Sequence, residues 1–395
     1  APHNATGQAP LWNRHMPPTH YRIYTSPTTD ARIDQPSGPS KMCLSCHDGA
    51  LALGLVANRP ANEPIVMSFR TIPPGRNDLT ADLSDDHPIG FRYDRALFNR
   101  DGQLRNPDVV TPELPMGPHQ EVHCTTCHDP HDNSLGNFLR MPDRRSAICL
   151  SCHDLSGWES SAHALSARAV RNRGVDRSQR LAHGTVADNA CSSCHKVHSA
   201  PGRKWLLRDP REEQNCLNCH DGGTAASNIA SEIRKPSGHP AQRYRGQHVP
   251  GEDPRSAPPH VECSDCHNPH ATETAVARPI GRPSLGEISP TMRFVSGVDR
   301  NGRTIAQSRF EYEVCFKCHA DNISRNVVRQ TVPRFITQSN TRLQFQPTNP
   351  SFHPVIGPRR NPDVVSLRPP WRGGAVMRCT GFPHSASVSA GGGGG

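Results

Sequence analysis

The chain lacks long apolar segments and is poor in hydrophobic and aromatic residues. Its 395 residues are 34% hydrophobic and 5% aromatic, and the mean hydropathy is −0.66. The longest apolar stretch, residues 51–57, is about a third of the roughly 20 residues that a membrane-spanning helix needs, so the sequence predicts no such helix. Globular domains average roughly 45–50% apolar residues, so aliphatic side chains alone do not supply a core for this length. Some other group must fill the interior.

Cysteine and histidine are abundant instead, with 15 and 23 residues. Fourteen of the cysteines fall into seven copies of Cys-x-x-Cys-His. Cysteines at i and i+3 lie on one face of a helical turn, so both sulfurs can reach the two vinyl groups of one porphyrin. The next residue can then bind the iron, and the pattern predicts seven covalently attached c-type haems. The copies are Cys43/Cys46/His47, Cys124/Cys127/His128, Cys149/Cys152/His153, Cys191/Cys194/His195, Cys216/Cys219/His220, Cys263/Cys266/His267 and Cys315/Cys318/His319.

Two other interpretations of paired cysteines fit less well. Structural zinc sites use Cys-x-x-Cys pairs, but they do not require a histidine directly after the second cysteine, and here all seven copies have one. Disulfides within such short loops would do little to constrain the unfolded chain, because the stabilisation grows with loop length. The haem interpretation therefore stands ahead of both.

The motifs alternate between two types. Type B motifs continue to a second histidine, as in Cys127-His128-Asp129-Pro130-His131, whereas type A motifs, starting at Cys43, Cys149 and Cys216, begin Cys-Leu and continue with Asp. The motif at Cys315 is a looser type A member. Intervals of 25 residues separate positions 124 and 149 and positions 191 and 216, and the pattern repeats after 67 residues. This spacing predicts a duplicated two-haem module.

The two ends of the chain carry incomplete motifs. Ala1-Pro2-His3 has the form of Asp129-Pro130-His131, from which we expect a further motif just upstream of Ala1. Cys379 has no second cysteine, and one sulfur cannot make two thioethers, so we expect no haem there. The five glycines at 391–395 resemble a tag.

These motifs resemble the doubled-motif multihaem c-type cytochromes of metal-respiring and related bacteria. The resemblance covers nearly the whole chain and rests on the segments Cys43 to Gly49, Cys124 to His131, Tyr312 to His319 and Ser351 to Val355. It implies an electron carrier with haem c and iron as cofactors. Some cytochromes of similar style polymerise into extracellular filaments, so a homopolymer is an expectation from the resemblance alone.

Each iron needs a sixth ligand, and sixteen histidines lie outside the motifs. The second histidines of type B motifs, with His3 by analogy, give four candidates, and three more precede proline, which stiffens the backbone there. Three further histidines near motifs are held in reserve. The favoured residues are His3, His131, His198, His270, His87, His239 and His353, and the reserves are His163, His183 and His260.

The fold class follows from the cofactors. We expect a mostly irregular chain with short helices and little strand, wrapped around a row of haems. One cytochrome domain should span residues 1–378, in modules of about 1–110, 111–180, 181–250 and 251–378, followed by an irregular tail at 379–395. An amphipathic helix is predicted over Ser160–Arg173, and a short hairpin is proposed within Asn326–Gln346.

The formal charge of +9 and pI near 9.0 would ordinarily suggest a nucleic acid or an anionic membrane as partner. With both propionates ionised, however, each ferric bis-histidine haem carries one net negative charge, so seven of them bring the total to about +2. With aromatic residues at 5%, the chain is also too poor in stacking side chains for a nucleic-acid platform. We therefore expect redox proteins, not nucleic acids, as partners.

Two functions remain open. One is electron transfer along six-coordinate haems without substrate turnover. The other is reduction of a small nitrogen or sulfur oxyanion, which needs an iron with an open position; such enzymes often carry Cys-x-x-Cys-Lys, and this sequence has none. Thioether formation takes place outside the cytoplasm, so we expect a periplasmic or extracellular protein.

Overall fold

Short helical turns joined by irregular chain make up the protein. The computed structural model describes residues 3, 12–75, 77–110, 112–172, 179–236, 238–244, 249–258, 260–273, 286–322 and 340–358. Its α-helices are α1 (Gly38–His47), α2 (Arg95–Asp101), α3 (Cys124–Cys127), α4 (Ala147–Leu150), α5 (Ala162–Leu165), α6 (Val186–Asn189), α7 (Glu212–Leu217), α8 (Ile229–Glu232), α9 (Glu311–His319) and α10 (Thr341–Gln344). Tight 3-10 turns lie at Pro60–Asn62, Pro107–Val109, Arg144–Ser146, Ala190–Ser193, Lys204–Leu206, Cys263–Asp265 and Pro290–Met292. The predicted fold class is confirmed.

Strand is scarce in the described part of the chain. The two-residue strands β1 (Gly297–Val298) and β2 (Thr304–Ile305) pair antiparallel, with Gly297 opposite Ile305. The hairpin expected within Asn326–Gln346 lies mostly outside the described residues, and its last turn is helix α10. The tail at 379–395 also lies outside them.

The helix predicted over Ser160–Arg173 is much shorter than its apolar pattern indicated. Ser161 accepts a hydrogen bond from the first turn of α5, and the helix ends at Ser166. Beyond that point Ala169 pairs with Thr185 in an isolated antiparallel bridge. Backbone pairing with a distant segment thus replaces the second half of the expected helix.

The chain divides into two compact units. The first consists of Ala1–Ser156 with Ala167–Arg211 and carries the motifs that begin at residues 43, 124, 149 and 191. The second consists of Gly157–Ser166 with Glu212–Gly395 and carries the motifs that begin at residues 216, 263 and 315. A single cytochrome domain over residues 1–378, with the four modules given above, stays a prediction.

The apolar core is split into small clusters that border motif cysteines. One packs against Cys152 and another against Cys266, so the sparse apolar side chains are concentrated beside the predicted cofactor sites. Among the residues described, no helix has the length and apolar composition that crossing a bilayer requires. The two clusters are Phe91/Tyr93/Leu97/Val122 in the first unit and Met292/Val295/Val314 in the second.

Candidate functional site

Every Cys-x-x-Cys-His motif starts in a helical turn. α1 and α9 contain whole motifs at their C-terminal ends, and the other five motifs start in α3, α4, α7 or the 3-10 turns at Ala190–Ser193 and Cys263–Asp265. In those five, the histidine N–H donates to the carbonyl oxygen of the first cysteine at 2.9 to 3.0 Å. This turn places the two cysteine side chains on one face, as attachment to a single porphyrin requires.

A serine joins the two motif types in the first unit. The hydroxyl oxygen of Ser40 accepts a hydrogen bond from the backbone N–H of Cys124 at 3.1 Å. Ser146 does the same for Cys191 at 2.9 Å. Both serines lie three residues before a type A motif, so the contact repeats with the module and holds a type A motif beside a type B motif.

The first cysteines of these neighbouring motifs touch. A hydrogen bond from the Cys124 thiol, together with burial, raises the pKa of Cys43. The same cause, a hydrogen bond with Cys191 followed by burial, raises the pKa of Cys149. Both contacts bring two attachment points close together.

The next pair of motifs along the chain meets through second cysteines. Burial raises the pKa of Cys127 to about 11, and the nearby Cys152 adds to that shift. In the second unit burial raises the pKa of Cys266 to about 12, with Cys318 among the groups that add to it. Within the first unit, therefore, successive motifs adjoin alternately through first and through second cysteines.

Cys46 is a predicted attachment cysteine that differs from this pattern. It lies half-buried in α1, one turn after Cys43. Within the described part of the chain, the structure does not bring its thiol against a cysteine of another motif, as it does for Cys127 and Cys152. The alternation would pair Cys46 with the second cysteine of an earlier motif, and Cys43 opens the first complete motif of the sequence. Attachment of a haem through Cys46 therefore stays a prediction that rests on its motif and on the turn that it shares with Cys43.

Backbone carbonyls hold Nδ1 of several motif histidines, at 2.7 to 2.9 Å. A proton on Nδ1 leaves Nε2 with a free lone pair, which is the form of imidazole that binds a metal. The contacts are His47 with Asn77, His128 with Asn137, His195 with Trp205, and His267 with Thr291.

Four motif histidines face a second histidine ring at nearly the same distance, 6.2 to 6.3 Å between ring centroids. A metal–imidazole bond of about 2.0–2.1 Å and about 1.1 Å from nitrogen to ring centre place two rings on opposite sides of one metal about 6.3 Å apart. The spacing fits one iron in each gap. The pairs are His128 with His198, His153 with His87, His220 with His163, and His319 with His239.

Burial keeps these rings neutral. It lowers the pKa of His153 to about 4, with further lowering by the nearby His87. Burial also lowers the pKa of His87, His128 and His220. A neutral ring is ready to bind iron without first losing a proton.

The remaining candidates have other surroundings. His3 and His131 face each other at 6.2 Å, although neither belongs to a Cys-x-x-Cys-His motif. The others are His183, whose Nε2 lies 3.1 Å from Oδ1 of Asp143, His260, whose Nε2 lies 2.9 Å from Oε1 of Glu252, His270, whose ring centroid is 6.4 Å from that of Trp158, and His353, which is exposed.

Comparison with known proteins agrees with this arrangement. Residues 117–156 and 183–225 match the family of the doubled CXXCH motif. Over 180 residues the chain is 26% identical to a protein of Shewanella baltica (strain OS185) named multiheme cytochrome MtrA, and the aligned part covers 42% of this chain and 40% of that protein. The chain is a doubled-CxxCH multihaem c-type cytochrome. It thus matches less than half the length of this curated relative.

Haem c is the cofactor of this cytochrome. Each matched segment contains one type B motif followed by one type A motif, starting at Cys124 and Cys149 in the first and at Cys191 and Cys216 in the second. The family match therefore coincides with the two 25-residue intervals of the repeat.

No pattern in the sequence indicated one further residue of the cytochrome's site, Asp86. Its Oδ1 lies 2.9 Å from Nδ1 of His198, and its side chain is 6% exposed. In His163 the same nitrogen instead contacts the carbonyl oxygen of Pro269, at 2.8 Å. Asp86 and His198 are 112 residues apart, and no spacing rule connects them.

Proposed function

We propose that this cytochrome carries electrons along seven covalently bound haems, each with its iron held between two histidines. The observation that carries the proposal is the shared 6.2 to 6.3 Å gap in four facing pairs. A bound haem supplies an iron that alternates between the ferric and ferrous states. The fourteen motif cysteines form the thioethers, and the seven motif histidines are the proximal ligands.

The chain's own residues favour electron transfer over substrate turnover. Two imidazoles on one iron leave no open position for an oxyanion, and the Nδ1 contacts hold the rings in one orientation. His87, His163, His198 and His239 are the sixth ligands that this proposal assigns, each to the motif histidine it faces.

The contacts between motifs support an order for the haems. In the first unit the motif at Cys43 adjoins that at Cys124, which adjoins that at Cys149, which adjoins that at Cys191. Within this unit the proposed path of the electrons therefore follows the order of the motifs in the sequence. In the second unit the motifs at Cys263 and Cys315 adjoin in the same manner.

Redox proteins outside the cytoplasm are the proposed electron donors and acceptors, because haem c is attached there. A periplasmic and an extracellular location both suit this role. Assembly into a homopolymer stays a prediction, and electron microscopy that showed only dispersed monomers would contradict it.

The decisive experiment is a haem count combined with a spin-state measurement. Pyridine haemochrome spectra and intact mass should give seven thioether-bound haems per chain, and electron paramagnetic resonance should show them low-spin. A high-spin ferric signal together with turnover of nitrite or hydroxylamine would support a reductase instead. Colourless protein, or pigment that acid–acetone extracts completely, would overturn the proposal.

A further inference from the structure

The His3–His131 pair has the spacing of the four proposed ligand pairs but uses no motif histidine. Its ring centroids are 6.2 Å apart and its ring planes differ by 19°. The pair of His128 and His198 has the same 6.2 Å distance and an angle of 30°. One iron fits between His3 and His131 as well as between His128 and His198.

The internal repeat gives independent support, because His131 and His198 hold equivalent positions three residues after a motif histidine. The loops that carry them share a backbone frame. The N–H of Arg140 donates to the carbonyl of Cys127 at 2.9 Å, and the N–H of Arg208 donates to that of Cys194 at 2.8 Å.

The Nδ1 contacts of the motif histidines in these two loops also repeat. His128 contacts the carbonyl of Asn137, and His195 contacts that of Trp205. His198 faces a motif histidine across its gap. By this equivalence His131 holds a ligand position, and His3 occupies the place of the opposite ligand.

Core packing does not explain the spacing of the two rings. Both histidines are exposed, and 73% of the His131 side chain is accessible. The same loop exposes Leu135 and Phe138, at 46% and 45%, so apolar side chains lie beside the pair in the sequence. Large apolar side chains at a surface are typical of a place where another apolar group binds.

We propose that His3 and His131 are the two axial ligands of a further haem, which none of the seven motifs attaches. The ligand class is an iron porphyrin, either free or carried by another polypeptide. This inference goes beyond the seven proposed motif haems, whose cysteines and histidines it leaves unchanged.

The test is a titration of the purified holoprotein with ferric protohaem. The native protein should bind one equivalent with the low-spin spectrum of a bis-histidine haem, and its electron paramagnetic resonance signal should be that of near-parallel ligand planes. His131→Ala and His3→Ala should each weaken this binding at least tenfold. His119→Ala, which removes another exposed histidine of the same unit, should leave it unchanged.

Analysis of the purified protein identifies the source of the haem. Pigment extracted by acid–acetone beyond the covalent haems indicates a free haem, and a second haem-staining band indicates one carried by another polypeptide. Either result supports the proposal if His131→Ala removes it. Absence of low-spin binding in the titration, or equal binding by His131→Ala, overturns it.

Failure of this inference is distinguishable from failure of the proposed function. The covalent haem count depends on the motif cysteines and should be seven in the native protein and in His131→Ala alike. A count below seven contradicts the proposed function, whereas a count of seven without protohaem binding contradicts only the additional site.

Discussion

Type A and type B motifs differ in where their facing histidine comes from and in how the two rings are turned. His153, His220 and His319, all of type A, face histidines that precede them in the chain, and the ring planes differ by 83°, 83° and 51°. The type B histidine His128 faces His198, which follows it, at 30°.

This difference shows that one repeated motif serves two different ligand arrangements. A type B motif binds its own proposed haem and also supplies a histidine to the preceding type B site. A type A motif takes its facing histidine from an earlier segment. The modules are therefore interlaced, so that a module cannot be removed without affecting its neighbour.

The groups behind the rings differ too. His163, opposite a type A histidine, has a neutral carbonyl at Nδ1, whereas His198, opposite a type B histidine, has the carboxylate of Asp86. A carboxylate at this position makes the imidazole a stronger electron donor and stabilises the ferric state. We expect the haem between His128 and His198 to have a lower potential than that between His220 and His163.

The largest expected effect is that of His198→Met. Replacement of one imidazole by a thioether raises the potential of a haem, here by on the order of 0.1 V or more for the haem at Cys124 and Cys127. Spectroelectrochemistry should show one of seven components move, and the near-parallel resonance signal of that haem should disappear.

Two matched variants sharpen this result. His163→Met should remove a near-perpendicular signal instead. His183→Met should change neither signal class, because Nε2 of His183 lies against Asp143. Loss of the same signal in His198→Met and His163→Met would contradict the division into two ring arrangements.

Asp86→Asn should have a smaller effect on the same haem. One charge a few ångströms away changes energies by about 2–4 kcal/mol at an effective dielectric constant of about 20. Partial screening leaves an upward shift on the order of 50–100 mV, at 59 mV per tenfold change for one electron. Asp85→Asn removes a neighbouring carboxylate that makes no contact of this kind among the described residues, and an equal shift there would rule out the hydrogen bond as the cause.

Ser146→Ala should affect stability and leave the potentials nearly unchanged. Ser146 is fully buried, and its loss leaves the N–H of Cys191 without its acceptor, at a cost of about 1–3 kcal/mol. Chemical denaturation of the holoprotein measures this. The exposed Ser134 provides the control, because Ser134→Ala should stay within about 0.5 kcal/mol of the native protein.

Much of the site could be predicted from short spacings. The i, i+3 cysteines and the adjacent histidine are local features, so the sequence alone indicates the helical turns and the attached cofactor. His87, His198 and His239 were favoured ligand candidates because proline or a motif lies next to them, and the structure places each opposite a motif histidine.

Long-range contacts could not be predicted in this way. Which ring faces which, the angle between them, and the contact of Asp86 with His198 depend on segments far apart in the chain. The helix expected over Ser160–Arg173 is wrong beyond α5 for the same reason, because the bridge of Ala169 with Thr185 competes with the local pattern.

The interlaced histidines have a consequence for maturation. A chain exported from its N-terminus presents His87 and His163 before the type A motifs that need them, so those irons gain both ligands as soon as attachment is complete. The iron at His128 must wait with a vacant side until the next repeat emerges with His198. Type B sites are thus the interval in biogenesis at which a stray small molecule can bind.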